Sequence, residues 1–314
     1  MKLKKLITGA ILFSSASLFL AACGSKDNDD KKTTTAGDTD TSTATTSGSS
    51  TSSTTTSEAG TRVRPDNQYE YNVYYASPNG SNLSDGTSKD NPGDIRVLKS
   101  KLQPGDTLYL LPGIYRYGER INIGADIVED ETTWYGGKQG AYINIRPENE
   151  DDEVIFDFSE MAFDGNNRGI QVYGDFYHFY NITIRGAGDN GMYIAGDHNI
   201  VENCVFYDNR DSGLQLGRSK SAQSTLDQWP SYNLIKNCTS FGNYDDETYG
   251  ENADGFAAKL TVGYGNVFDG CIAFRNADDG WDLYAKQDSG NIGTITIKNC
   301  VCLIFRKLSP SARS

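Results

Sequence analysis

Apolar and polar positions after residue 180 repeat with a short period. Each unit has a short apolar stretch, a turn rich in Asn, Gly and Asp, a second short apolar stretch and a further loop. An Asn or Gly followed by Cys or Ile marks the first stretch, and a Gly opens the second. The first marker occurs at Asn181-Ile182, Asn203-Cys204, Asn237-Cys238, Gly270-Cys271 and Asn299-Cys300, and the second at Gly191, Gly213, Gly255 and Gly280.

The spacing between these two markers is constant in three of the units. Nine residues separate the Cys or Ile from the Gly, whereas 17 separate Cys238 from Gly255, so this unit carries an eight-residue insertion near Tyr244-Asp245-Asp246-Glu247. Periods this short are typical of solenoids, in which each unit buries its apolar face against its neighbours. Since no stretch has a helical pattern, the repeat predicts an all-β fold, a parallel β-helix with equivalent residues about 4.8 Å apart.

The same repeat contains five cysteines, of which the last is Cys302. In an exported protein the usual expectation is disulfide bonds. Four of the cysteines instead occupy equivalent positions of the repeat, which predicts an internal ladder of small apolar side chains with free thiols. These four are Cys204, Cys238, Cys271 and Cys300.

The segment from Tyr74 to Tyr115 extends this pattern towards the N-terminus. It contains Asp85-Gly86-Thr87 and an alternating stretch that turns at Pro112-Gly113, as a strand bounded by a turn would. This opening resembles that of secreted right-handed β-helix proteins, in which an early segment covers the exposed strand edges at the end of the solenoid.

Residues 1–61 predict export and attachment to a membrane. Basic residues precede an apolar stretch from Leu6 to Leu20, which is shorter than the roughly 20 residues of a membrane span and is typical of a signal peptide. Leu20-Ala21-Ala22-Cys23-Gly24 resembles a bacterial lipobox, so we expect residues 1–22 to be a lipoprotein signal peptide and Cys23 to carry lipid. The alternative is an ordinary signal peptide with an incidental Cys.

A linker is predicted for residues 23–61, because 19 of the 25 residues from Thr33 to Ser57 are Ser or Thr. Such a segment has almost nothing to bury and stays disordered. The folded domain is therefore predicted over residues 62–314. It would lie outside the cell, tethered to the membrane surface by lipid only, as a monomer.

The charge balance narrows the classes of partner. The chain has 29 basic and 42 acidic side chains, with a formal net charge of −13. This excess of acid argues against nucleic-acid binding, which relies on clustered Lys and Arg, and against unaided binding of an acidic polysaccharide. Only two His occur in the chain, which argues against a His-rich zinc site.

A metal ion would allow this acidic chain to bind an acidic ligand. Asp254 and Asp279 precede the Gly marker of successive units, and Asp278 and Asp282 lie beside them. Four converging carboxylates would repel one another and raise each other's pKa. A hard cation with oxygen ligands relieves that repulsion, and calcium suits a flexible carboxylate-rich site better than magnesium. The alternative is that these residues only form turns.

At these residues the chain resembles polysaccharide lyase family 9, the pectate lyases and exopolygalacturonate lyases. The resemblance implies a right-handed parallel β-helix that cleaves pectate (polygalacturonate) by β-elimination with the help of calcium. Matched motif to motif, it implies that Asp254, Asp278, Asp279 and Asp282 bind the metal. The segments that carry it are Asn252-Ala253-Asp254-Gly255-Phe256-Ala257-Ala258-Lys259-Leu260, Gly265-Asn266-Val267-Phe268-Asp269-Gly270-Cys271 and Asp278-Asp279-Gly280-Trp281-Asp282-Leu283.

The catalytic base is the point at which the chain departs from this family. The family's Lys lies on a coil after the calcium motif, and this chain ends before any such segment. Residues from Val301 onward lose the Asn and Gly turn pattern, so we expect the solenoid to be truncated at its C-terminus. Lys259, four residues past Gly255, is then the candidate base, with Lys286 a weaker one. The alternative for Lys259 is a structural ion pair.

Two other functions compete with the lyase. A β-helix glycoside hydrolase of the polygalacturonase type would also use neighbouring carboxylates, but such hydrolases carry a His in the site, and neither His178 nor His198 falls near the Asp cluster in repeat register. A non-catalytic surface protein that binds glycans is the third candidate. Digestion of polygalacturonate with and without a chelator separates the three.

Overall fold

The computed structural model describes residues 71–128 and 131–303. The predicted signal peptide, Cys23, the linker and the segment after residue 303 lie outside the described residues. Within the described ranges, no helix combines the length and the apolar character that a membrane span requires.

Three parallel sheets of eight, seven and six strands run along the molecule, and the chain passes from one to the next as it winds through successive coils. This is a right-handed parallel β-helix, which confirms the predicted fold class. Sheet one contains, in spatial order, β1 (Val73–Ser81), β2 (Thr107–Leu110), β7 (Ile143–Pro147), β10 (Tyr177–Tyr180), β13 (Ile200–Glu202), β16 (Leu234–Lys236), β19 (Asn266–Asp269) and β22 (Ile295–Lys298).

The other two sheets follow the same order of coils. Sheet two contains β3 (Gly113–Arg116), β8 (Val154–Asp157), β11 (Thr183–Arg185), β14 (Val205–Tyr207), β17 (Thr239–Phe241), β20 (Ile272–Phe274) and β23 (Val301–Leu303). Sheet three contains β4 (Ile121–Ile123), β9 (Ile170–Val172), β12 (Met192–Ile194), β15 (Leu214–Leu216), β18 (Phe256–Ala258) and β21 (Trp281–Asp282).

Few elements depart from this regular stack. β5 (Ala125–Val128) and β6 (Glu131–Trp134) form an antiparallel hairpin between the first and second strands of sheet three. The short helix α1 (Ile95–Leu98) packs against β1 and buries Ile95 and Leu98 in the core. Two 3₁₀ turns, Lys99–Lys101 and Leu226–Gln228, complete the helical structure of the described residues.

The first sequence marker is the tight corner between sheet one and sheet two. Asn181, Asn203, Asn237 and Asn299 have φ values of 56°, 56°, 51° and 54°, and Gly270 has φ 70° at the same corner. These are left-handed backbone conformations, which Gly adopts without cost and Asn tolerates better than most residues. The repeated Asn or Gly is therefore a backbone requirement of each coil.

The second marker, the Gly before five of the six strands of sheet three, answers a different requirement. A Cβ atom on Gly255 would lie 2.7 Å from Asn276 Nδ2, 2.8 Å from Ala273 Cβ and 2.8 Å from Gly280 O. Side chains do not tolerate such contacts, so this corner can close only around glycine.

Two ladders of asparagine, buried except at Asn276, connect neighbouring coils. In the first, Asn199 N donates to Asn233 Oδ1 at 2.9 Å, and Asn233 N donates to Asn266 Oδ1 at 3.0 Å. Asn209, Asn243 and Asn276 form the second in the same way. Buried backbone N–H groups need hydrogen-bond acceptors. The Asn Oδ1 atoms of these ladders supply such acceptors at the corners where strand pairing stops.

The cysteines form the predicted ladder. Cys204, Cys238 and Cys271 are fully buried, Cys300 is half-buried, and all five cysteines of the described residues are free thiols. The Sγ atoms face backbone carbonyls of the adjacent coil, as Cys238 Sγ does with Val201 O at 3.4 Å. The expectation of an internal ladder without disulfides is confirmed for these residues.

A thiol assay tests the ladder in solution. We expect Cys204, Cys238 and Cys271 to resist a thiol reagent in the folded protein, because their side chains have no contact with solvent. Unfolding in denaturant without reductant should expose them as reactive thiols. Mass spectrometry of the alkylated peptides assigns each site, and bridged peptides in place of alkylated ones would contradict the ladder.

Candidate functional site

The predicted stacking of Asp254 on Asp279 is present in the structure. Gly213 N donates to Asp254 O at 3.0 Å, and Gly255 N donates to Asp279 O at 2.9 Å. The same bonding pattern aligns the residue before the Gly of every coil, at the edge where the loop enters sheet three. This loop-edge column consists of Arg168, Asn190, Ser212, Asp254 and Asp279.

A second line of side chains lies on the outward-facing side of sheet three, where most of its members are nonetheless buried. Alternate residues of each strand point into the core, and the residue between them points outward. The outer row therefore contains one residue from each strand. In register, these are Asn122, Gln171, Tyr193, Gln215, Ala257 and Asp282.

Three carboxylates converge where the column reaches the last coils. Oxygen atoms of Asp254, Asp278 and Asp279 all lie within 4.8 Å of one another. Asp254 has no exposed surface, whereas Asp278 and Asp279 are exposed. Asp254 accepts hydrogen bonds from Ser212 Oγ at 2.9 Å and from the backbone N–H of Asp279 at 3.2 Å. One oriented, buried carboxylate and two accessible ones thus form an open-sided cluster.

Asp282, the fourth carboxylate predicted, lies outside this group of three. It belongs to the outer row and is joined to the cluster by Lys259, whose Nζ contacts Asp254 Oδ2 at 2.8 Å and Asp282 Oδ2 at 2.9 Å. The Lys259 side chain is only 10% exposed. Lys259 is therefore part of the acidic cluster and bridges the buried and the outward-facing carboxylates.

Burial and like charge together shift the pKa of these groups. Burial raises the pKa of Asp254, and the Lys259 ammonium opposes that rise. Burial is the main cause that raises the pKa of Asp278 and of Asp279, and the negative charge of neighbouring carboxylates raises both further. Burial alone would lower the pKa of Lys259, but Asp254 and Asp282 outweigh it and raise that pKa. The cluster carries more negative charge than one ammonium can balance.

The donor set fits a hard divalent cation. All four groups offer carboxylate oxygens, the ligands that calcium prefers in flexible sites, and two of the three converging carboxylates are open to solvent. The Lys259 ammonium lies between Asp254 and Asp282 and supplies positive charge there.

Sequence reasoning missed the groups that orient the cluster. Ser212 lies in the loop-edge column one coil before Asp254, and its hydroxyl fixes the buried carboxylate. The sequence could have indicated the position of Ser212, because Ser212 precedes Gly213 as Asp254 precedes Gly255. The loop that carries the predicted insertion begins and ends beside the coil of the cluster, since Ala277 N donates to Asn243 O at 3.0 Å and Asp278 N donates to Ala253 O at 3.2 Å.

Comparisons with known proteins agree with this architecture. The family described as "Pel9A-like, right handed beta helix region" matches residues 74–307. The chain is 44% identical over 229 residues to pectate lyase L of Paenibacillus polymyxa (strain SC2), covering 72% of this chain and 48% of that protein. It is 34% identical over 214 residues to pectate lyase L of Dickeya chrysanthemi, covering 68% and 47%.

A solved structure gives the same result at the level of the fold. The crystal structure of pectate lyase Pel9A superposes with a TM-score of 0.61 at 28% sequence identity, covering 78% of this chain and 57% of that chain. The chain spans about half the length of these two curated relatives. It belongs to the Pel9A-like family of right-handed β-helices, as the resemblance in its Asp motifs predicted.

Proposed function

We propose that this protein is a calcium-dependent pectate lyase that cleaves polygalacturonate by β-elimination. The observation that carries the proposal is the convergence of Asp254, Asp278 and Asp279 on the outer edge of sheet three. The curated relatives named pectate lyase L support the choice of substrate class and reaction.

The reaction explains why an acidic site would serve an acidic substrate. Elimination breaks the C5–H bond of a uronate, forms a C4–C5 double bond and breaks the C4–O bond to the neighbouring sugar. When bound, calcium neutralises the uronate carboxylate and so makes the C5 proton easier to remove. Asp254, Asp278, Asp279 and Asp282 would hold the ion, and the hydrogen bond from Ser212 Oγ fixes the orientation of the Asp254 carboxylate.

Lys259 is the candidate base within the described residues. Its Nζ donates to both Asp254 and Asp282, so in this arrangement it holds a proton. To accept the C5 proton, Lys259 must first lose one of its own protons, and the two carboxylates oppose that loss because they raise its pKa. Its other role, holding two carboxylates together, needs no such change.

The two histidines lend no support to a hydrolase. His178 lies on sheet one beside Glu202. His198 is stacked between Phe176 and Tyr232, with ring centroids 4.7 Å and 5.0 Å away, at the corner that enters sheet one. Neither residue belongs to sheet three or to the loop-edge column, so neither adjoins the three carboxylates.

We further propose that the protein acts outside the cell, anchored by lipid on Cys23. The lipobox-like sequence around Cys23 and the Ser- and Thr-rich segment after it support this location. Metabolic labelling with a fatty-acid analogue should mark the wild-type protein and leave Cys23→Ala unlabelled. Equal labelling of the two would contradict the anchor.

Digestion of polygalacturonate tests the reaction. We expect unsaturated products, detected by their ultraviolet absorbance, that disappear with a chelator and return with added calcium. Because metal-assisted charge stabilisation contributes several kcal/mol, the rate should fall by at least about 100-fold. Saturated products with new reducing ends would instead indicate a hydrolase, and binding without products a glycan-binding protein.

A further inference from the structure

Two arginines converge on a single neutral oxygen at the other end of sheet three. Arg120 Nη1 lies 3.2 Å from Gln171 Oε1, and Arg168 Nη1 lies 3.1 Å from the same atom. Gln171 belongs to the outer row and Arg168 to the loop-edge column. Two guanidinium groups that share one amide oxygen create a concentration of positive charge in a chain of net charge −13.

The two arginines differ in how their charge is balanced. Arg168 pairs with Asp189 at 3.2 Å and lies over the Tyr193 ring, 3.5 Å from its centroid. Arg120 makes no ion pair with any residue in the described ranges, and its Nε is buried without a hydrogen-bond partner there. Its remaining bond is to the backbone oxygen of Asn166. Among the described side chains, Arg120 therefore has no acidic partner for its charge.

The Arg pair and the acidic cluster lie on the same outward-facing side of sheet three, although Tyr193 and Gln215, which stand between them in the outer row, are buried. Three strand spacings separate Gln171 from Ala257 along the outer row, which is about 14 Å. A polymer lying along sheet three would meet the carboxylate cluster on the last coils and the two arginines on the first coils.

We propose that Arg120 and Arg168 bind a carboxylate of the same uronate chain, several sugar units away from the acidic cluster. This inference rests on the proposed function and extends it with a second, metal-independent contact for the acidic polysaccharide. Arginine is suited to this role, because its planar guanidinium pairs with carboxylates through parallel charge-assisted hydrogen bonds. The site favours long chains, since only these reach both regions.

Binding of oligogalacturonates of two lengths to the full chain tests this inference. In the presence of calcium, titration calorimetry would compare wild type, Arg120→Gln and Arg120→Lys. For a long oligomer we expect affinity to fall about tenfold or more in Arg120→Gln, as loss of hydrogen bonds to a charged group predicts. Arg120→Lys should retain part of the affinity, because the ammonium keeps the positive charge but cannot form two parallel hydrogen bonds to a carboxylate as a guanidinium does.

Digalacturonate provides the internal control. It is too short to span about 14 Å, so the calcium-dependent part of its affinity should be the same in wild type and Arg120→Gln. Arg116→Gln is the matched control variant, because Arg116 lies on sheet two and its replacement changes the net charge equally. It should bind both oligomers as the wild type does.

Each other outcome contradicts the inference in a distinguishable way. Equal affinity of wild type and Arg120→Gln for the long oligomer would overturn the arginine site and leave the proposed function intact. An equal loss of affinity for both oligomers would show that Arg120 has only a structural role. If the wild type bound neither oligomer, the proposed substrate class and the arginine site would both be wrong.

Discussion

Replacing Asp279 with Asn is expected to weaken calcium binding by more than about tenfold, since even residues that only support metal ligands contribute roughly 10–100-fold to affinity. Asp279 is the informative position because its side chain is exposed, so the substitution leaves no buried charge without a partner. Its backbone N–H, which donates to Asp254, is unchanged. Calorimetric titration of calcium into the chelator-treated protein measures the effect.

Asp211→Asn is the matched control for this experiment. Asp211 lies two residues before Gly213, as Asp278 does before Gly280, but it accepts a hydrogen bond from Asn190 Nδ2 at 2.7 Å and is not one of the three converging carboxylates. Its replacement should change calcium affinity little, and Asp189→Asn should behave in the same way. Equal losses at Asp279, Asp211 and Asp189 would show that the metal site is wrongly assigned.

The features predicted well from the sequence depend on positions where the backbone accepts only one or two types of residue. The corner at Asn203 needs a left-handed backbone, and the corner at Gly255 has no room for a Cβ atom. Such requirements recur at each coil, so their spacing along the chain reveals the solenoid and aligns Asp254 with Asp279.

The features that escaped prediction depend on side chains brought together from distant coils. Arg120 and Gln171 are 51 residues apart, because the β5–β6 hairpin interrupts the repeat between them, and no marker residue connects their coils. The separation of Asp282 from the other three carboxylates was missed for a different reason. Sequence spacing placed all four on one side, whereas strand alternation places Asp282 on the outer row and lets Lys259 reach it.

Lys259→Met is expected to destabilise the calcium-free protein by about 3–5 kcal/mol, the usual cost of removing one partner of a buried ion pair. The cost arises at Asp254, which has no exposed surface and would keep its carboxylate without the ammonium that lies 2.8 Å away. Urea unfolding in the presence of a chelator measures the loss. Lys236→Met is the control, because Lys236 pairs with Glu202 at 3.0 Å on the exposed side of sheet one, where ion pairs contribute little.

Calcium should reverse much of this destabilisation. A cation held by Asp254 supplies the positive charge that Lys259→Met removes, and a ligand that binds only the folded state adds to its stability. The gap in unfolding free energy between wild type and Lys259→Met should therefore narrow at saturating calcium, while Lys236→Met responds to calcium as the wild type does. If the gap stayed the same with and without calcium, Asp254 would not be a ligand of the ion, and its pairing with Lys259 would be a purely structural feature of the last coils.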